Sequence, residues 1–151
     1  MRHARAAADG APWRRGNVAL VTLRLIDPED VPTPATYTQV VVATGSRLVF
    51  VAGQEPEDSD GRLVGRGDLA AQARQVFANL GRTLAAAGAR PEQVAKITIY
   101  VVDHRPEFLP VIEAARVGLF GDHKPADTLV GVATLAIPGY LIEVDAVAVL
   151  D

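Results

Sequence analysis

The sequence predicts an α+β domain: a mixed β-sheet with two helices packed on one of its faces. Three observations predict it. Apolar, β-branched runs recur at six places along the 151 residues, and two other segments carry helical spacing. The helices are segregated among runs of strands, in the order β-β-β-α-β-α-β-β, and no repeat of solenoid period is present.

The first strand is expected over Val18–Ile26, ended by Asp27-Pro28. Thr38–Ala43 and Leu48–Ala52 follow, and Thr44-Gly45-Ser46 between them reads as a hairpin turn. Glu55 to Gly67 is charged and glycine-rich, a loop with room for a short strand at Leu63-Val64. Asp68 is placed to cap a helix whose apolar face is Leu69, Ala73, Val76, Phe77, Leu80, Leu84 and Ala87, with Gly88 at its left-handed end. Ile97–Val102 is the next strand. The second helix spans about Pro106 to Phe120, with Phe108, Ile112, Ala115 and Leu119 inward and Pro110 confined to its first turn. Thr128–Thr134 and Leu141–Leu150 close the chain, separated by the Pro138-Gly139 turn pair.

Composition narrows the function. There is no cysteine, which excludes a disulfide scaffold, thiolate metal sites and a cysteine nucleophile. The net charge is −3, opposite in sign to a protein that grips nucleic acid through its phosphates. The serines are Ser46 and Ser59, neither in a nucleophile elbow, and no phosphate-binding glycine loop occurs. Asp122-His123 and Asp103-His104 lack the convergent partners a metal site needs, so no metal and no cofactor are expected. No apolar stretch reaches the roughly 18 residues of a membrane span. Residues 1–16 read as a solvated leader before one domain over 17–151, and the location is read as cytoplasmic.

Four strands, Thr38–Ala43, Leu48–Ala52, Ile97–Val102 and Leu141–Leu150, read as apolar on both faces. Two helices cover one face of such a sheet, so the other is expected to meet another copy of the chain.

Several spaced motifs resemble the RidA/YjgF-like (Rid) family. They are T-Y-T-Q at Thr36–Gln39, L-V-F-V-A-G-Q at Leu48–Gln54 and G-D-L-A-A-Q-A-R-Q-V at Gly67–Val76. Further on come L-A-A-A-G-A at Leu84–Ala89, K-I-T-I-Y-V-V-D at Lys96–Asp103, P-A-D-T at Pro125–Thr128 and L-I-E-V-D-A-V-A-V at Leu141–Val149. The likeness runs from about Val18 to Leu150. It implies a chorismate-mutase-like subunit, a homotrimer around a central β-barrel, and small-molecule clefts between neighbouring subunits. It also implies cofactor-free hydrolysis of 2-imino or enamine acids to 2-keto acids and ammonia.

Carried over by residue, Glu143 matches the family's water-positioning glutamate and Tyr37 its tyrosine, which makes them the catalytic candidates. Gly53 and Gln54 match its glycine-glutamine pair. Ala52 stands where the family has serine, Ile112 where it has asparagine, and Leu129 lies two residues beyond the P-A-D-T aspartate. The departure that matters is Asp127, in place of the arginine that pairs with the substrate carboxylate. Two like charges about 4 Å apart repel by roughly 1 to 4 kcal/mol. Altered or lost deaminase activity is therefore expected, with a neutral or cationic ligand if Asp127 faces the cleft. Asp145 shares a strand face with Glu143, His123 and Lys124 precede Asp127, Glu55, Arg62 and Arg66 could rim the entrance, and Arg105 could supply a displaced clamp. A non-catalytic ligand-binding or regulatory trimer is the alternative, and a ribonuclease or translation inhibitor fits the charge poorly.

Overall fold

The computed structural model describes residues 22–151. The leader and the start of the first expected strand lie outside them. Six strands are described: β1 (Thr22–Ile26), β2 (Val40–Thr44), β3 (Arg47–Gln54), β4 (Val94–Val102), β5 (Ala126–Val132) and β6 (Ile142–Leu150). The two α-helices are α1 (Leu69–Ala86) and α2 (Leu109–Phe120), and both pack on one face of the main sheet, as the α+β reading requires.

That sheet has the order β3-β6-β4-β5, with β4 and β5 parallel and the other pairs antiparallel. β1 and β2 form a separate antiparallel ribbon. The expected β2–β3 hairpin is therefore a correction: the turn at Gly45 is a crossover between two sheets. A Cβ on Gly45 would lie 2.5 Å from Val149 Cγ1 and 2.6 Å from the Leu150 carbonyl oxygen, and Ser46 N–H donates to that oxygen at 2.9 Å. The chain is thus pressed against the end of β6 instead of reversing on itself. The ribbon is tied to the main sheet at its other edge, where Thr38 bridges Ala126 in parallel sense. Leu63 is in an isolated bridge with Glu57, in place of a short strand.

α1 begins where its sequence says. The Asp68 side chain accepts from Ala71 N–H at 3.0 Å, a cap of the kind that contributes about 1 kcal/mol. At the other end Gly88 takes φ 74°, Gly88 N–H reaches the Ala85 oxygen and Ala89 N–H the Leu84 oxygen, a Schellman closure. Ala87, expected inward, is the exposed C-cap residue. The fully buried Gln72 is instead the polar hub of the helix. Its amide nitrogen donates to the Gly65 and Gly139 carbonyls, and its oxygen accepts from Leu141 N–H at 2.7 Å. Pro110 lies in the first turn of α2, where it displaces no helical hydrogen bond, and a single 3₁₀ turn at Pro106–Phe108 leads into it.

The face away from the helices is mixed, which corrects the expectation of strands apolar on both sides. Leu48 and Phe50 are 61% and 74% exposed there on β3. On β4 and β6 the same face carries Tyr100 and Asp145, joined by a 3.1 Å hydrogen bond, and Glu143. That one face is thus polar at Glu143, Asp145 and Tyr100 on the central strands and apolar at Leu48 and Phe50 on the edge strand.

Candidate active site

Strand register decides where each candidate side chain goes. Glu143 pairs with Tyr100 in the β4–β6 ladder, on the face away from the helices. A bulge between Val51 and Gln54 in β3 brings Gly53 against it. An ideal Cβ on Gly53 would sit 1.7 Å from Glu143 Oε1, so the carboxylate occupies a notch that only glycine leaves open. Burial raises the proton affinity of Glu143, and the neighbouring Glu55 and Asp145 charges raise it further.

Gly53 also borders a cleft of about 730 Å³ between the end of β3 and the outer side of α1. Gln54, Glu55, Glu57 and Asp58 form one wall, and Gln75, Asn79, Arg82 and Thr83 the other. The cross-links are specific. Thr83 donates to Gln54 Oε1 at 2.9 Å, and Asn79 Nδ2 donates to the carbonyls of Glu55 and Glu57 at 3.0 and 2.8 Å. Gln75 Nε2 adds a bond to the Glu57 carbonyl, and Tyr140 donates to the Glu57 carboxylate. Ala52, one residue before Gly53, is exposed.

Asp127 belongs to a different neighbourhood. It pairs with Ile97 in the parallel β4–β5 ladder, and Ile97 is fully buried under the helices. Paired residues of a ladder point to the same side, so Asp127 faces the helix layer. Leu129 shares that side and packs on the core, and Ile112 of α2 is buried there too. Burial pushes the Asp127 carboxyl up to about 6, against the opposing pull of Arg116 and Lys96. Its Oδ1 is buried without a hydrogen-bond partner.

Arg116 is the residue that sequence reading missed. It lies one turn beyond Ile112 on α2, is 2% exposed, holds Glu113 at 3.1 Å through Nε, and leaves Nη1 unpartnered. The available signal was its i, i+4 spacing from Ile112, which sets both on one face. Lys96, whose ammonium burial disfavours, bonds Thr128 Oγ1 at 2.6 Å.

Tyr37 precedes Thr38, which bridges Ala126 at the β5 edge. Glu143 and Asp127 are separated by two strand spacings, three residues along the strands and opposite sheet faces, on the order of 14 Å by standard sheet dimensions. Gly53 and Glu143 thus lie together, with Gln54 turned to the α1 side, while Asp127, Leu129 and Ile112 lie together on the helix side of the sheet. Of the remaining candidates, His123 Nε2 is bonded to the Val94 carbonyl at 2.7 Å, a structural tie. Arg105 lines a separate cavity of about 250 Å³ with Leu69, Phe108 and Leu141. Arg62 pairs with Asp60 at the surface.

Comparison with known proteins accords with this architecture. The family model described as Endoribonuclease L-PSP matches residues 29–150. A RutC family protein of Pyrococcus horikoshii is 35% identical over 125 residues, 82% of this chain and 95% of the relative. The 2-iminobutanoate/2-iminopropanoate deaminase of Rattus norvegicus is 37% identical over 114 residues, covering 75% and 79%. The crystal structure of a Rid protein of unknown function from Yersinia pestis superposes with a TM-score of 0.80 at 39% identity, over 85% of this chain and 98% of that one. The fold, the spaced motifs and these matches agree: the chain belongs to the Rid family, whose model bears the description Endoribonuclease L-PSP.

Proposed function

We propose that the protein is a homotrimer whose inter-subunit clefts hydrolyse a carbon–nitrogen double bond in a small metabolite, with little activity on 2-imino acids. The observation that supports the reading is that Glu143 and Asp127 stand in two separate residue groups of one chain. Glu143 keeps the carboxylate that positions water, while Asp127 puts an acid where the family's carboxylate-binding arginine stands. Apposing the two halves across a subunit boundary would complete the site, and the exposed Leu48 and Phe50 supply apolar surface for the contact.

In the proposed reaction Glu143, as carboxylate, takes a proton from water as its oxygen adds to the imine carbon. A neutral or cationic substrate meets no anion–anion penalty at Asp127. The rival reading, a trimer that binds ligand without chemistry, is favoured by the same charge reversal. A ribonuclease is opposed by the net charge of −3.

Light scattering should give about 48 kDa, three times 16.0 kDa, at micromolar concentration. A stable monodisperse monomer would remove the assembled cleft and the reading with it. A panel of imines should show uncharged or cationic members hydrolysed faster than 2-iminopropanoate. Rapid 2-iminopropanoate hydrolysis, unchanged in Asp127→Ala, would overturn the specificity claim. Ligand binding without turnover of any member would favour the binding protein.

A further inference from the structure

We propose that Glu55 is a second catalytic carboxylate of this site, donating the proton that the imine nitrogen requires while Glu143 acts as the base. The proposal rests on the hydrolytic reading above and adds a residue to it.

Position comes first. The β3–β6 ladder ends with Gln54 opposite Val144, and Glu55 follows it at once, two residues beyond the Gly53 that abuts Glu143. Gln54 turns toward α1, where it bonds Thr83, so its neighbours Gly53 and Glu55 turn toward the Glu143 side. Residues two apart on extended backbone lie roughly 6.5–7 Å apart on one side, which sets Glu55 beside the Glu143 carboxylate in the Gly53 notch.

Rigidity comes second. The Glu55 backbone is not a free loop: Asn79 Nδ2 clamps the carbonyls of Glu55 and Glu57 together, and Gln75 and Tyr140 secure Glu57. Pro56 between them is buried. The Glu143 carboxylate is fixed by the Gly53 notch. The Glu55 backbone and the Glu143 side chain are thus each held in place, as a two-residue acid–base device needs.

Charge comes third. Like-charged carboxyl groups facing each other hold a proton between them beyond the ordinary carboxylate range. Glu143 is raised by burial and by Glu55, and Glu55 by burial and by Glu57. The other groups nearby are Asp145, also acidic, and Tyr100, whose hydroxyl donates to Asp145. Arg82, on the facing α1 wall of the cleft, donates to Asn79 Oδ1 at 2.8 Å.

The chemistry then balances. Water adds to the imine carbon, its proton passes to Glu143, and the Glu55 proton passes to nitrogen, giving a neutral carbinolamine. In collapse the hydroxyl proton returns to Glu55, the Glu143 proton goes to nitrogen, and the carbon–nitrogen bond breaks. A carbonyl compound and an amine or ammonia leave, with both carboxyl groups restored.

The test pairs a titration with kinetics on Glu55→Gln and Glu55→Asp, both checked as intact by light scattering and melting. The carboxyl ¹³C signal of Glu143 should titrate closer to an ordinary glutamate in Glu55→Gln than in the wild type. Turnover of the best imine in the panel should fall about 100-fold in Glu55→Gln and recover in part in Glu55→Asp. An unmoved Glu143 midpoint, or wild-type turnover in Glu55→Gln, overturns the role of Glu55 while leaving hydrolysis standing. A wild type inactive on every imine overturns the hydrolytic reading itself, and the donor role falls with it.

Discussion

Asp127→Asn is expected to raise the melting temperature at pH 8 by several degrees and to have almost no effect at pH 4. Burial lifts the Asp127 carboxyl from 3.8 to about 6, so the folded chain prefers its protonated form. The stability from that preference is fully present below pH 3.8 and is lost as pH rises through about 6. Integrated over that window, the difference is about 3 kcal/mol. Asparagine imitates the protonated shape at every pH and gives back most of that amount at pH 8. Arg116 loses a counter-charge in the exchange but keeps Glu113 at 3.1 Å, which limits the loss. Melting curves of both proteins from pH 4 to 8 check this. A constant difference across the range would mean that Asp127 is hydrated and ordinary.

The second large effect is expected at Gly53. In Gly53→Ala the new methyl would overlap Glu143 Oε1, so the carboxylate must swing out of its notch. The clashing atom is the tip of a flexible side chain, so the fold yields cheaply and stability should change by less than about 1 kcal/mol. Catalysis should not yield cheaply: a misplacement of about 1 Å can cost 10²-fold. Gly53→Ala should therefore lower turnover about 100-fold on any imine the wild type hydrolyses, with melting and assembly preserved. A fully active variant would show that the positioned carboxylate is not the base.

Legibility in the sequence follows physical contrast. α1 could be read to its caps because Asp68 and Gly88 carry their own geometry: one is an acceptor with a short tether, the other tolerates a positive φ. The strands were legible as apolar, β-branched runs, yet their partners were not. Gly45 fits a hairpin turn and a crossover equally well until Val149 and Leu150 are seen pressing on it. Arg116 and Gln72 were hidden for the opposite reason. A charged or amide side chain normally marks a solvated face, and only tertiary context reveals one that is buried. Glu143 and Asp127 could be named from the family motifs, but their separation onto two faces of the sheet depends on register, which no local pattern carries.

That separation has a genetic consequence. If each cleft of the proposed trimer takes Glu143 from one subunit and Asp127 from its neighbour, then lesions in the two half-sites fall in different complementation groups. A subunit defective at Gly53 still lends its neighbour an intact Asp127 half, and one whose Asp127 half is sterically blocked still lends an intact Glu143 half. Subunits of the two kinds, unfolded together and reassembled in equal amounts, would regenerate about a quarter of their clefts from two undamaged halves. Two individually crippled alleles would then rescue each other in one cell, although neither gene product could be repaired by more of itself.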